Sequence, residues 1–353
     1  MIDGDNQRHQ PRRACVNATA PFSRAVQYWR ANRSHHTLSV NYTLSVNYTL
    51  SVNHAMPINH ANTLRLLFPQ WQGGNNPPYY FGAQLLSWLA PDPTGPVETV
   101  DVAPPHDTPL ALEDGIRGRG ILLEQLRRAR KTIDQHRPDR IVVLGGDCLV
   151  DLAPFAYLNE RYDGDLAVLW LDAHPDVMTP KAFEHAHAMV LGNLLGEGDK
   201  DFVHAVKRPL KPENVMFAGL QPTLDVETAF ITRLGLKHAG PAQLAESSQP
   251  VMDWFAATGA KHLAVHLDLD VLDPAVFRAL LFANPNIPAG TYDGVSQGAM
   301  TIEQVVRLLG EVAQIADIVG LGITEHLPWD ALAMKNMLAA LPLIGAPGNR
   351  PQK

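Results

Sequence analysis

The sequence predicts an α/β fold built on a parallel sheet buried on both faces. Three observations carry that expectation. Short apolar runs recur at 140–146 (RIVVLGG), 166–172 (LAVLWLD), 214–220 (NVMFAGL), 262–270 (HLAVHLDLD) and 317–324 (DIVGLGIT). Strands that are apolar almost throughout, rather than at alternate positions, belong to sheets covered on both sides. Helix-length segments separate these runs, which is the alternation of βαβ units. The chain has 353 residues, 46% hydrophobic and 18% charged, a balance able to bury a large core.

From the N-terminus, residues 37–54 repeat a six-residue unit three times, TLSVNY TLSVNY TLSVNH. Three short units cannot bury a core of their own, so residues 1–55 read as a tail without structural duty, and Met56 as the expected start. Those 55 residues hold six Arg against two Asp, net +4, which leaves the remainder at −11 within a total of −7. A first strand is expected at Leu64–Phe68. A helix is expected within 115–135, where Ile116, Ile121, Leu122, Leu126, Ala129 and Ile133 recur at helix-compatible spacing, and Pro138 closes it. Residues 56–353 need only one domain.

Several function classes find no support. The acidic balance gives no reason to expect nucleic acid, and no apolar run is long enough to span a membrane. The two cysteines, Cys15 and Cys148, cannot form a disulfide framework, so a cytoplasmic setting is expected.

The polar residues that matter fall at strand ends, where open parallel sheets bind ligands. GGDC follows the strand at 140, bringing Asp147 and Cys148. LDAHPD follows the strand at 166, bringing Asp172, His174 and Asp176 at every second position. LDLDVLDP follows the strand at 262, bringing Asp268 and Asp270, and Glu325 and His326 follow the strand at 317. Side chains two apart in an extended chain share a face, so Asp172, His174 and Asp176 are expected to converge, as are Asp268 and Asp270. Asp147 and Asp273 read as turn or cap residues. Four carboxylates in one crevice repel one another, and divalent cations offset that repulsion. Oxygen-rich ligation with imidazole suits Mn²⁺ or a similar ion.

LDAHPD followed by HLDLDVLDP, with GGD upstream, resembles the arginase/agmatinase/formiminoglutamase superfamily of metallohydrolases across most of 60–345. The resemblance implies a three-layer αβα domain with a parallel, roughly eight-stranded sheet and a binuclear manganese centre. Asp172 and Asp268 would bridge the ions, Asp176 would complete one site, and His174 with Asp270 the other. Water or hydroxide between the ions would attack a guanidino or formimino carbon. By the same resemblance His187 would pass a proton to the leaving amine, with His185 as its rival, and Glu325 would pair with the substrate cation. His187, Glu325 and Asp176 are thus the catalytic candidates. Relatives of this kind assemble as oligomers, so a homo-oligomer is compatible with the chain.

The pattern departs from that superfamily at several points. Cys148 stands where a ligand histidine is usual, leaving ligation as thiolate, a bystander thiol, or a single-ion site all open. A thiolate would add negative charge and favour Zn²⁺ over Mn²⁺. His266 stands where Ser or Thr usually begins the second aspartate motif. The stretch after Pro274 is longer than usual, Trp329 and Asp330 can either line the mouth or pack, and Val177, Met178 and Thr179 replace polar arginine contacts. Free L-arginine is therefore not the expected substrate. Two alternatives stand beside hydrolysis of linear amidines. One is a catalytically silent relative with a binding role, and the other a zinc deacetylase, whose paired-histidine signature is not evident.

Overall fold

Residues 62–344 are described by a computed structural model, and the expectations for residues 1–55 and a start at Met56 lie outside them. In chain order the elements are β1 (Thr63–Phe68), α1 (Pro78–Leu89), β2 (Val97–Thr99), β3 (Leu112–Glu113), β4 (Ile116–Arg117), α2 (Arg119–His136), β5 (Arg140–Gly145) and α3 (Leu152–Arg161). They continue with β6 (Leu166–Leu171), α4 (Val190–Leu194), α5 (Lys200–His204), β7 (Val215–Ala218), α6 (Asp225–Leu234), β8 (Lys237–Ala239), α7 (Pro241–Leu244) and α8 (Gln249–Thr258). The last four are β9 (His262–Asp268), α9 (Ile302–Val312), β10 (Asp317–Thr324) and α10 (Trp329–Ala340).

Eight strands form one sheet in the order β2-β1-β5-β10-β9-β6-β7-β8, and every neighbouring pair is parallel. The period of two along β6 divides its side chains between two cores. Leu166, Val168 and Trp170 join the first, with Leu122, Leu126, Ala129 and Ile133 of α2 and Leu152, Phe155 and Leu158 of α3. Ala167, Leu169 and Leu171 join the second, with Val251, Trp254 and Phe255 of α8 and Val305, Leu308 and Val312 of α9. The sheet is therefore the middle of three layers, and each Leu, Val or Phe withdrawn from water contributes about 1.5–3 kcal/mol. Arg130 joins α2 to α3 through paired bonds to Glu160 at 2.8 and 2.6 Å.

The expected strands are present, four of them with shorter ends. β6 stops at Leu171 and β9 at Asp268, so the metal-type motifs do not continue as strands. Residues 269–271 form a 3-10 turn, and Asp176 has a left-handed backbone with φ 51°. The aspartates converge through turns rather than through strand alternation. The expected helix at 115–135 begins four residues later, because Asp114, Gly115 and Gly118 take positive φ and fold a small antiparallel hairpin, β3–β4. It ends at His136, with Arg137 left-handed (φ 47°) before Pro138. The edge strands β2 and β8, three residues each and largely exposed, carried no readable pattern.

Strands β5, β10, β9 and β6 lie side by side at the centre of the sheet. Their carboxyl ends open on one crevice, and all four polar motifs meet there. Among the described residues no helix is long and apolar enough to cross a membrane.

Candidate metal centre

β5 delivers Asp147 and Cys148 through Gly146. A Cβ at 146 would lie 1.8 Å from the Gln70 carbonyl oxygen, so only glycine lets the chain pass. Asp147 acts as the expected cap: its carboxylate accepts from Leu149 N–H at 3.1 Å and Gly74 N–H at 3.2 Å. Burial pushes its pKa up to about 7. Cys148 is buried, and its thiol donates to Asp268 Oδ2 at 2.9 Å. Burial first, then the carboxylates of Asp268 and Glu325, push the thiol well above its ordinary range.

β6 delivers Asp172, whose Oδ1 accepts from His174 N–H at 2.7 Å and Oδ2 from Trp170 Nε1–H at 3.1 Å. His174 turns Nδ1 to Asp270 Oδ2, 3.1 Å away, and meets the Ser296 carbonyl with Nε2 at 3.1 Å. Burial opposes its charge, yet Asp270 and Asp172 carry its pKa well above the ordinary value. The left-handed turn at Asp176 lets its carbonyl accept from Leu191 and Gly192 N–H at 3.1 and 3.2 Å, which fixes it against the start of α4.

β9 delivers Asp268 and Asp270, joined by a 2.7 Å bond from Asp270 N–H to Asp268 Oδ1. Burial acts to raise Asp270, but the neighbouring His174 holds it below the ordinary range. The segment after Pro274 returns to pair Met300 with Leu272 and brings the Ser296 carbonyl to His174. Its Leu280 carbonyl accepts from Trp329 Nε1–H at 2.6 Å, so Trp329 is a packing residue, while Asp330 is exposed.

β10 delivers Glu325, buried and left-handed at φ 63°, with its N–H bound to the Gly146 carbonyl at 2.7 Å. His187, in the 3-10 turn 186–189, places Nδ1 2.8 Å from Glu325 Oε1. Burial works against its charge, but Glu325 raises its pKa overall. His185 instead lies 3.6 Å from Glu184, so the pair at the crevice is His187 with Glu325. His326 turns away and meets the Gly82 carbonyl at 2.9 Å.

All six expected ligands and both other catalytic candidates thus come together. The residues fit a pair of divalent ions on three counts. Asp176 Oδ2, Asp270 Oδ1 and His266 Nε2 are buried without a hydrogen-bond partner, a costly state for polar atoms. Burial, then the other carboxylates, raise Asp176 and Asp268 well above the ordinary value and push Asp172 up to about 6. Donor atoms lie within 4.8 Å of one another in the sets Asp172–His174–Asp270, Asp172–His266–Asp268 and Cys148–Asp176–His266.

Three residues join the centre that sequence patterns did not assign to it. His266 was visible only as a departure at the head of its motif. Tyr79, on α1, is buried, and burial with the Glu325 carboxylate holds its phenol well above the ordinary range. Asp151 sits 2.7 Å from His266 Nδ1. Nothing in the spacing of Tyr79 or Asp151 marks them; only the folded chain brings them near.

With this geometry in place, the comparisons with known proteins are direct. A sequence model of the Arginase family matches residues 91–341. An arginase of Bacillus subtilis strain 168 is 32% identical over 145 residues, 38% of this chain and 47% of that protein. An arginase of Staphylococcus aureus strain MRSA252 is 24% identical over 171 residues, 46% of this chain and 56% of that protein. The chain thus spans about half the length of these curated relatives. The crystal structure of Entamoeba histolytica arginase in complex with L-ornithine superposes with TM-score 0.63 at 19% identity, covering 76% of this chain and 92% of that one. The three-layer fold is that of arginases, and the chain belongs to the arginase family.

Proposed function

We propose that the chain hydrolyses a carbon–nitrogen bond of a linear amidine, a guanidino or formimino compound. Two divalent ions, Mn²⁺ by the chemistry of the donors, would be held by Asp172, His174, Asp176, Asp268 and Asp270, with Cys148 at the edge. The observation that carries this reading is the meeting of four buried carboxylates with the Glu325–His187 pair in one crevice. When bound, such ions supply a water acidified enough to attack near neutral pH. Asp176 keeps Oδ2 without a partner and would accept a hydrogen bond from such a water, orienting it. Glu325 pairs with the planar substrate cation, a match that sets orientation as well as affinity. His187, whose hold on its proton Glu325 strengthens, gives that proton to the leaving amine.

The polar contacts that would read a free amino acid are missing from the positions after Asp176, where Val177 and Met178 are buried. Phe282 lies near His174, with ring centroids 6.1 Å apart, and packs edge-on against Tyr292. An apolar wall of that kind favours a decarboxylated or otherwise modified guanidino compound. A reducing, cytoplasmic setting keeps the Cys148 thiol free.

The test is turnover of a panel of guanidino and formimino compounds by full-length protein loaded with Mn²⁺ or Zn²⁺, reading urea, ammonia and formamide. Release from at least one compound is expected. Two ions bound without turnover of any compound would replace this reading with a silent binding protein.

A further inference from the structure

We infer that His266 supplies the imidazole to the ion on the Asp176 side, in place of the histidine that the family resemblance expects at Cys148. The inference rests on the binuclear centre proposed above and says which residue completes it. The His266 ring is buried and stacked on Trp170, with centroids 3.7 Å apart and planes 14° from parallel. Its Nδ1 is held by Asp151 Oδ2 at 2.7 Å. A core histidine satisfied by one carboxylate would account for Nδ1 alone. Nε2 points the other way, has no partner, and lies 3.8 Å from Asp172 Oδ2. It falls within the donor sets of Cys148 with Asp176 and of Asp172 with Asp268.

An imidazole anchored at one nitrogen by a carboxylate, with the other aimed at acidic groups, is how proteins orient a metal-binding histidine. The anchor is itself built in. β10 carries glycine at 322, where a Cβ would lie 1.9 Å from Asp151 Oδ2. A side chain there would displace Asp151 from the ring. Because β9 lies between β6 and β10, a histidine two residues before Asp268 enters the centre from the floor of the crevice rather than from β5. Position 148 is then released from ligation, and its thiol spends its proton on Asp268 at 2.9 Å. An imidazole donor at this ion suits Mn²⁺, where a thiolate donor would draw the site toward Zn²⁺.

The test uses full-length protein labelled with ¹⁵N-histidine and loaded with ¹¹³Cd²⁺, so that metal–nitrogen coupling is read without activity. Two cadmium resonances are expected, each coupled to a histidine nitrogen. In Cys148→Ala both ions and both couplings should remain, whereas His266→Gln should lose the coupling at one ion. Asp151→Asn should weaken Mn²⁺ binding at that one site about 10- to 100-fold and leave the other unchanged. Wild-type protein with two ions of which only one is histidine-coupled overturns the inference and leaves the binuclear centre standing. Two couplings that survive His266→Gln, or equal affinities in Asp151→Asn, also overturn it. Wild-type protein that binds no cadmium overturns both readings. The wild-type spectrum with a single histidine-coupled ion overturns the inference even where a variant fails to fold.

Discussion

Replacing Asp172 by Asn removes one of four buried carboxylates while keeping the shape of the side chain. In metal-free protein, burial and the Asp270 charge lift the Asp172 pKa from 3.8 to about 6. A rise of about two pH units is worth about 3 kcal/mol. The sign follows from proton binding: the folded state holds this proton more tightly than the unfolded chain. Stability from this group is therefore complete below pH 4 and is lost as pH climbs through 6. Asp176 and Asp268 are raised for the same causes and shift the balance the same way. The assay is thermal unfolding in chelator from pH 4 to 8, wild type against Asp172→Asn. Relative to the variant, wild type should lose about 3 kcal/mol across that range, or about 5 °C in Tm for a domain of this size. Saturating Mn²⁺ at pH 8 should return several degrees to wild type and less to the variant. Parallel pH curves for the two proteins, or no effect of cation on wild type, would refute the idea that repelling carboxylates await a metal.

Two further outcomes follow from the same geometry. Glu325→Gln removes the charge from the 2.8 Å contact with His187 and should lower kcat/KM for a cationic substrate about 100-fold or more, the range of a lost buried charge pair, with ion content unchanged. Because Glu325 is what raises His187, the alkaline limb of the pH–rate profile should move to lower pH in this variant; an unmoved limb would exclude His187 as the proton donor. Gly146→Ala forces a Cβ to within 1.8 Å of the Gln70 carbonyl, backbone that cannot swing aside, and should cost at least about 2–3 kcal/mol; urea unfolding with an unchanged midpoint would show that the turn into Asp147 and Cys148 tolerates a side chain.

The central strands were legible because their cause is local. RIVVLGG, LAVLWLD and DIVGLGIT are apolar enough to demand burial on both faces, and β10 runs over the predicted residues. The edge strands β2 and β8 were not legible, since three largely exposed residues paired on one side need no pattern. The hairpin at 112–117 depends on positive-φ turns at Asp114, Gly115 and Gly118, which a helical periodicity extended backward concealed.

The candidate centre divides along the same line. The acids and His174 could be gathered from the sequence because each stands directly after a strand, and parallel strands deliver their ends to one side of a sheet. Their approach could not be described from the sequence, since it depends on the turn at 269–271 and the left-handed backbone at Asp176. His187 and His185 could not be separated by spacing; a single contact with Glu325 separates them. Asp151 and His266 lie 115 residues apart. Their bond exists only because β10 fills the gap between β5 and β9 with a glycine facing Asp151. Sequence thus determined which chemistry gathers at the sheet's carboxyl edge, because strand burial and motif position are written residue by residue. Which imidazole meets which acid was decided only by tertiary structure, because those distances arise from strand order and from the space that neighbouring side chains leave.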